Sequence, residues 1–232
     1  GHSGELTPPE SLAKDAQPFM QTMLDHLTML FQERKDSNTL HAHHARLCHR
    51  VLDLLSLLAL ERADDMVDAT WARLLRLVTA TADHVLTPRR CRLGQDLAPQ
   101  FTRVLFQLWM RSLTQSRELW EMLGRFFCNW THHDVVVHQW NAVTHALTKR
   151  LLHTLWPAEG QDRLVVTWVD APDVDMFDFH PEHVVFLWHR IVFVVGNPVL
   201  VDRPSAQAAA INGVATIADT LMSVGRAKLG SG

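Results

Sequence analysis

A chain of 232 residues with 47% hydrophobic and only 20% charged side chains can bury about 70–75% of its unfolded surface, which excludes general disorder. The formal net charge of −3 gives no electrostatic reason to expect a polyanionic partner, and no run reaches the roughly 18–20 apolar residues that cross a bilayer. Three scattered cysteines, Cys48, Cys91 and Cys128, exclude a disulfide framework and fit a reducing, cytoplasmic compartment.

In chain order, Gly1-His2-Ser3-Gly4 reads as a vector-derived remnant, and the missing start methionine reads as a chain cut from something longer. Residues 1–16 end in a helix-start signal, Thr7-Pro8-Pro9-Glu10, and 17–232 read as a single all-α helical-repeat domain. Phe19, Met20, Met23, Leu24, Leu27, Leu30 and Phe31 line the first helix. Asp36-Ser37-Asn38 turns the chain into a second, over about 39–60. The third, over about 66–86, is striped by Val67, Trp71, Leu74, Leu75, Val78 and Leu86, and Thr87-Pro88 stops it. Leu97, Phe101, Val104, Leu105, Leu108 and Trp109 mark the fourth.

Residues 126–156 describe a helical hairpin. Leu119, Met122, Leu123, Phe126 and Trp130 close one amphipathic helix, and the corner lies at His132 and His133. Val136, Trp140, Val143, Leu147, Leu151 and Leu155 stripe the next, with Asp134 as its expected N-cap. An irregular acidic loop is expected over 157–180, although 164–169 also fits a buried strand. Residues 184–195 are rich in β-branched side chains, yet His180-Pro181-Glu182 before them and Gly196-Asn197-Pro198 after them favour a helix. An eighth helix, about 205–228, carries Ile211, Val214, Ile217, Ala218, Leu221 and Met222 on one face. Helix pairs recur roughly every 40–55 residues, which predicts an irregular HEAT-like α-solenoid of about eight helices; a compact bundle is the alternative.

Three constellations carry polar chemistry. His41, His44 and Cys48 share one side of the second helix, a usable metal-ligand spacing, with His43 and His49 nearby. That side also carries Val51, Leu52 and Leu55, so it faces the core, and rings bonded to loop carbonyls explain it without a metal. The acidic stretch of Asp170, Asp173, Asp175 and Asp178, followed by His180, lacks the glycine and distal glutamate of a calcium loop and reads as a solvated linker, with a docking segment for a basic partner as the next reading. Arg89, Arg90 and Arg92 form a basic corner too small for a nucleic-acid track. His132, His133 and His138 sit at or beside the hairpin corner, where histidines commonly satisfy backbone groups. Asn129-Trp130-Thr131 matches a glycosylation sequon at a helix end. No phosphate cradle or nucleophile elbow is present, so the residues predict neither catalytic, metal nor cofactor-binding groups, and leave the partner-binding surface unassigned.

The run Asn129-Trp130-Thr131-His132-His133, Val136-Val137, Gln139-Trp140, Ala146-Leu147-Thr148 and Arg150-Leu151-Leu152 resembles the N-terminal region of the beta-subunit family of Ral GTPase-activating proteins. The likeness extends from Gln21-Thr22-Met23-Leu24 through Thr70-Trp71 and Val104-Leu105-Phe106 to Trp188 and Asn197-Pro198, about residues 17–200. Asp134 stands where the family pattern has proline, and 156–179 match poorly. The resemblance implies an α-solenoid from the regulatory subunit of a complex that accelerates GTP hydrolysis on Ral-type GTPases. It further implies catalysis by an asparagine of a GTPase-activating domain on the catalytic alpha subunit, which this chain does not contain. The expected role is a non-catalytic scaffold that assembles with that alpha subunit, or engages small GTPases or their regulators, with no cofactor, nucleic acid or membrane span. The rivals are a metal-dependent helical enzyme built on the histidine and aspartate clusters and a generic helical-repeat interaction module.

Overall fold

The computed structural model describes residues 16–32, 38–88, 90–156, 163–171 and 174–195. The expected helix over 205–228, the Thr7-Pro8-Pro9-Glu10 start and the Gly196-Asn197-Pro198 stop lie outside these residues. Seven α-helices and one β-hairpin are described: α1 (Ala16–Thr28), α2 (Asn38–Glu61), α3 (Asp68–Leu86), α4 (Arg92–Ser112), α5 (Arg117–Trp130), α6 (Asp134–Leu155), β1 (Leu164–Thr167), β2 (Val174–Phe177) and α7 (Pro181–His189). The fold is all-α, as expected.

The helices stack in two rows. Among the described residues α1 packs on α3 and α3 on α5, while α2 packs on α4 and α4 on α6; contact between α3 and α4 joins the rows. Each of α1 to α4 thus rests on the helix two places further along the chain. Continuing the second row, α7 lies on α6, and the π-turn that follows it (Arg190–Val194) reaches back to α5.

Helix α4 is the centre. From Gln100 to Met110 every residue except Arg103 is buried, because partners cover it on several sides. Ring contacts tie it to its neighbours: Phe101 meets Phe31 at 5.4 Å between centroids, Phe106 meets Phe127 at 6.0 Å, and Trp109 meets Trp120 at 4.7 Å. Trp120 passes the contact on to Phe186 of α7. The interior Pro99 deprives the Gln95 carbonyl of its helical donor, and Gln95 lies on the exposed side of the helix. Cys91 Sγ accepts from Gly94 N at the start of α4, and Ser116 Oγ accepts from Leu119 N at the start of α5.

Two boundaries differ from the sequence expectation. His133 is the N-cap of α6 and Asp134 falls inside its first turn, where its carboxylate still meets the positive end of the helix dipole. Within the stretch expected as an irregular acidic loop, β1 and β2 pair antiparallel with Leu164 opposite Phe177 and Val166 opposite Asp175. Alternation sends Leu164, Val166 and Phe177 inward and leaves Val165, Thr167 and Met176 outside. Residues 184–195 are helical as favoured, and the β-branched run shows as the change from α7 into the π-turn.

Gly124 sits in the middle of α5, where glycine is otherwise costly. A Cβ there would stand 2.6 Å from the Val194 carbonyl oxygen and 3.3 Å from Val195 Cα, both backbone atoms that have little room to yield. Replacing Gly124 with alanine is therefore expected to lower stability by about 1–3 kcal/mol despite alanine's better helix propensity. Urea denaturation of the two proteins checks this; an unchanged or higher midpoint would show that the π-turn does not press on α5.

Candidate interaction surfaces

Apart from His43, which is exposed and bonds Arg46 of the same helix at 2.6 Å, the histidine cluster of α2 holds elements together. His44 Nε2 meets the Leu30 carbonyl at 2.6 Å, and Cys48 Sγ donates to the same oxygen at 3.5 Å, so both close the turn after α1. His41 Nε2 pairs with Asp96 of α4 at 2.8 Å. His49 Nδ1 bonds Gln100 Oε1, while Gln100 Nε2 donates to the His49 carbonyl at 3.2 Å and to Asp53. Among the described residues, no group of three or more His, Cys, Asp or Glu side chains could hold a metal ion.

The corner between α5 and α6 is fastened to the end of α3. Trp130 Nε1 and Asn129 Nδ2 donate to Asp83 Oδ1 at 3.1 and 3.2 Å, and Thr87 Oγ1 donates to the same oxygen at 2.7 Å. His133 Nε2 meets the Leu86 carbonyl at 3.0 Å, and His132 Nδ1 meets that of Asn129 at 2.9 Å. These are carbonyls at helix ends, which lack intrahelical donors. His138 is exposed on α6, as are Arg90 and Arg92 beside the start of α4, whereas Arg89 lies outside the described residues.

The acidic stretch is divided between buried amides. Asp175 Oδ2 accepts from Gln107 Nε2 and, at 2.8 Å, from Trp168 Nε1; Ser56 Oγ donates to Gln107 Oε1 at 2.8 Å. Arg111 lies over the Phe177 ring at 4.5 Å, and burial holds its pKa below the usual value while Asp175 opposes the shift. Gln139 of α6 accepts from Val169 N at 3.2 Å and donates to Asp170, which Arg103 approaches at 3.9 Å. Asp170 and Asp175 thus clamp the hairpin to α6 and α4. Asp178 and His180 are exposed, and Asp173 lies outside the described residues.

Among the described residues two concave surfaces stand out. The first is an apolar groove of about 340 Å³ between α1 and α2, lined by Phe19, Met20, Met23, Leu27, Leu54 and Leu58 among others. Phe19 is 52% exposed and Leu54 49%, and Leu47, Leu57 and Leu60 continue the apolar surface along α2. The second, of about 680 Å³, lies between α6 and the outer face of the hairpin. His145, Lys149, Arg150 and His153 line one wall and Val165, Thr167 and Met176 the other, with Arg163 also on its lining. Burial and the Lys149 ammonium push the His145 imidazole below its ordinary pKa. Neither surface is visible as a motif. The traces they leave are a second leucine row on α2 and basic residues at helical spacing on α6.

Comparison with known proteins adds a family. A model described as the RALGAPB N-terminal domain matches residues 40–158. The human Ral GTPase-activating protein subunit beta is 31% identical over 207 residues, which is 85% of this chain and 13% of that protein. The mouse protein of the same name is 30% identical over the same shares. A Rap-GAP domain-containing protein of Dictyostelium discoideum is 28% identical over 154 residues, 66% of this chain and 9% of its own length. The chain therefore spans only 9–13% of these relatives. No solved structure matches it.

Replacing Gln139 with leucine leaves the Val169 amide without its acceptor and removes one donor from Asp170. The expected cost is about 1–3 kcal/mol, read as a lower urea midpoint together with faster hydrogen exchange at Val169. Normal exchange there would mean that the clamp is idle. Acid should act on His145 in a defined direction: its folded pKa lies below the unfolded value, so the unfolded chain takes up the proton first. Its contribution is complete above the unfolded pKa of about 6.5 and declines as the pH falls below it. Urea midpoints at about pH 7.5 and 5.5 should accordingly fall less for His145→Gln than for the parent; an identical fall would exclude this residue as a source.

Proposed function

The chain belongs to the RALGAPB N-terminal domain family, and from that premise we propose that it is a non-catalytic, cytoplasmic helical domain of a Ral-directed GTPase-activating complex. Its work is assembly: it holds the catalytic alpha subunit of that complex, and small-GTPase regulators reach the complex through it. The single observation that carries this reading is the apolar face of α1 and α2. Phe19, Met23, Leu54 and Leu57 are all more than two-fifths exposed there, on a helical array whose polar clusters are occupied in holding its own elements together. An open apolar surface of this kind is a common mark of a protein–protein contact.

Co-expression with a tagged catalytic alpha subunit tests the reading. The chain should co-purify, and Phe19→Glu with Leu54→Glu should abolish recovery, since both charges would be buried unpaired at the contact. The melting temperature of that variant should stay near the parent's, because both positions are half exposed. Failure of the unaltered chain to co-purify would defeat the assembly role, and full recovery of the variant would defeat the face. The isolated chain at micromolar concentration should leave the GTP hydrolysis rate of Ral unchanged, and a measurable acceleration would overturn its non-catalytic assignment.

A further inference from the structure

We propose that the groove between α6 and the hairpin is a docking site for an extended acidic segment of a partner protein. The proposal rests on that groove alone and not on the α1–α2 face. Among the described residues its lining carries the cations Lys149, Arg150 and Arg163, with His145 and His153 beside them, and no aspartate or glutamate, in a chain with 25 acidic residues against 22 lysines and arginines. The local sign is therefore opposite to that of the molecule as a whole, and field lines from the basic wall are confined by the concave, partly apolar surroundings.

Three features narrow the occupant. Arg150 Nη1 donates to Thr154 Oγ1 at 3.3 Å, but Arg150 Nε is buried with no hydrogen-bond partner among the described residues. A buried guanidinium donor of this kind is best satisfied by a carboxylate. The opposite wall is largely apolar: Val165 and Met176, directly paired across the two strands, are 47% and 59% exposed, with Thr167 beside them. An extended peptide points alternate side chains to opposite sides, so one that alternates acidic and apolar residues sets carboxylates against α6 and hydrocarbon against the hairpin. The basic row from His145 to His153 runs about 12 Å at 1.5 Å per residue, room for about four extended residues. A nucleic acid fits less well, because no aromatic side chain among the described residues lines the groove for a base to stack on.

Fluorescence anisotropy on the full chain, with a labelled peptide of about nine residues alternating glutamate and leucine, tests the proposal. Saturable binding is expected at low salt and should weaken as salt rises. Lys149→Glu combined with Arg163→Glu should weaken it by about tenfold or more, whereas Arg46→Glu with Arg50→Glu, exposed on α2, should leave it nearly unchanged. Lys149→Ala with Arg163→Ala repeats the measurement without charge reversal and must shift the affinity in the same direction. The matching peptide with glutamine for glutamate should bind at least tenfold more weakly, by an order-of-magnitude estimate. Absence of binding at low salt, equal losses from the α6 and α2 variants, or tighter binding of a single-stranded oligonucleotide of equal charge would each overturn it.

Discussion

A helix with almost no wet side must find partners for its polar groups inside the protein, and α4 is such a helix. Between Gln100 and Met110 only Arg103 escapes full burial, yet that span carries two amides, Gln100 and Gln107, which share a face because they lie two turns apart. Each is satisfied from α2 or from the hairpin: Gln100 by His49 and Asp53, Gln107 by Ser56 and Asp175. Because His49, Asp53 and Ser56 form a single stripe on α2, sliding one helix past the other by a turn would strip both amides of their α2 partners at once. Apolar packing alone tolerates such slippage far better, so the polar seam gives the two helices a unique alignment.

The same economy operates at the edges of the array. Asp83 gathers Thr87, Asn129 and Trp130 on one oxygen, and His133 closes the last carbonyl of α3. The α5–α6 corner therefore moves with the end of α3 rather than as a free loop. Gln139 does for the hairpin what Gln107 does from the other side: its amide reads a backbone N–H and a carboxylate together. Two strands on their own are marginal in water, and these attachments to α4 and α6 are what hold this pair.

The helices were legible because their stripes are long and their ends carry punctuation: Thr87-Pro88 after α3, Pro181 at the first turn of α7, the Trp130 and Trp140 stripes on either side of the corner. The core direction of Cys48, Val51, Leu52 and Leu55 was equally readable, and the histidines beside them bond where that direction puts them. The hairpin was harder. Four-residue strands give too few alternations to separate from an irregular acidic loop, and the aspartates that make the stretch look solvated are the groups that anchor it. The grooves were illegible for another reason. Leu54 on α2 and Leu74 on α3 are identical as letters, and only the stacking of the rows leaves one half exposed and the other buried. Lys149 and Arg150 likewise become part of a wall only when β1 lies alongside α6.

The two surfaces stand at different places along the rows: the apolar one at α1 and α2, the basic one at α6 and the hairpin. Covering hydrocarbon lowers the heat capacity of a complex, whereas pairing charged groups leaves it far less altered. Calorimetric titrations over a range of temperatures would therefore give the two surfaces separate signatures, a steep enthalpy slope for one and a shallow slope for the other. Warming would then favour occupation of the hydrocarbon surface relative to the charged one, so a single array would rank its ligands differently in the cold and in the warm.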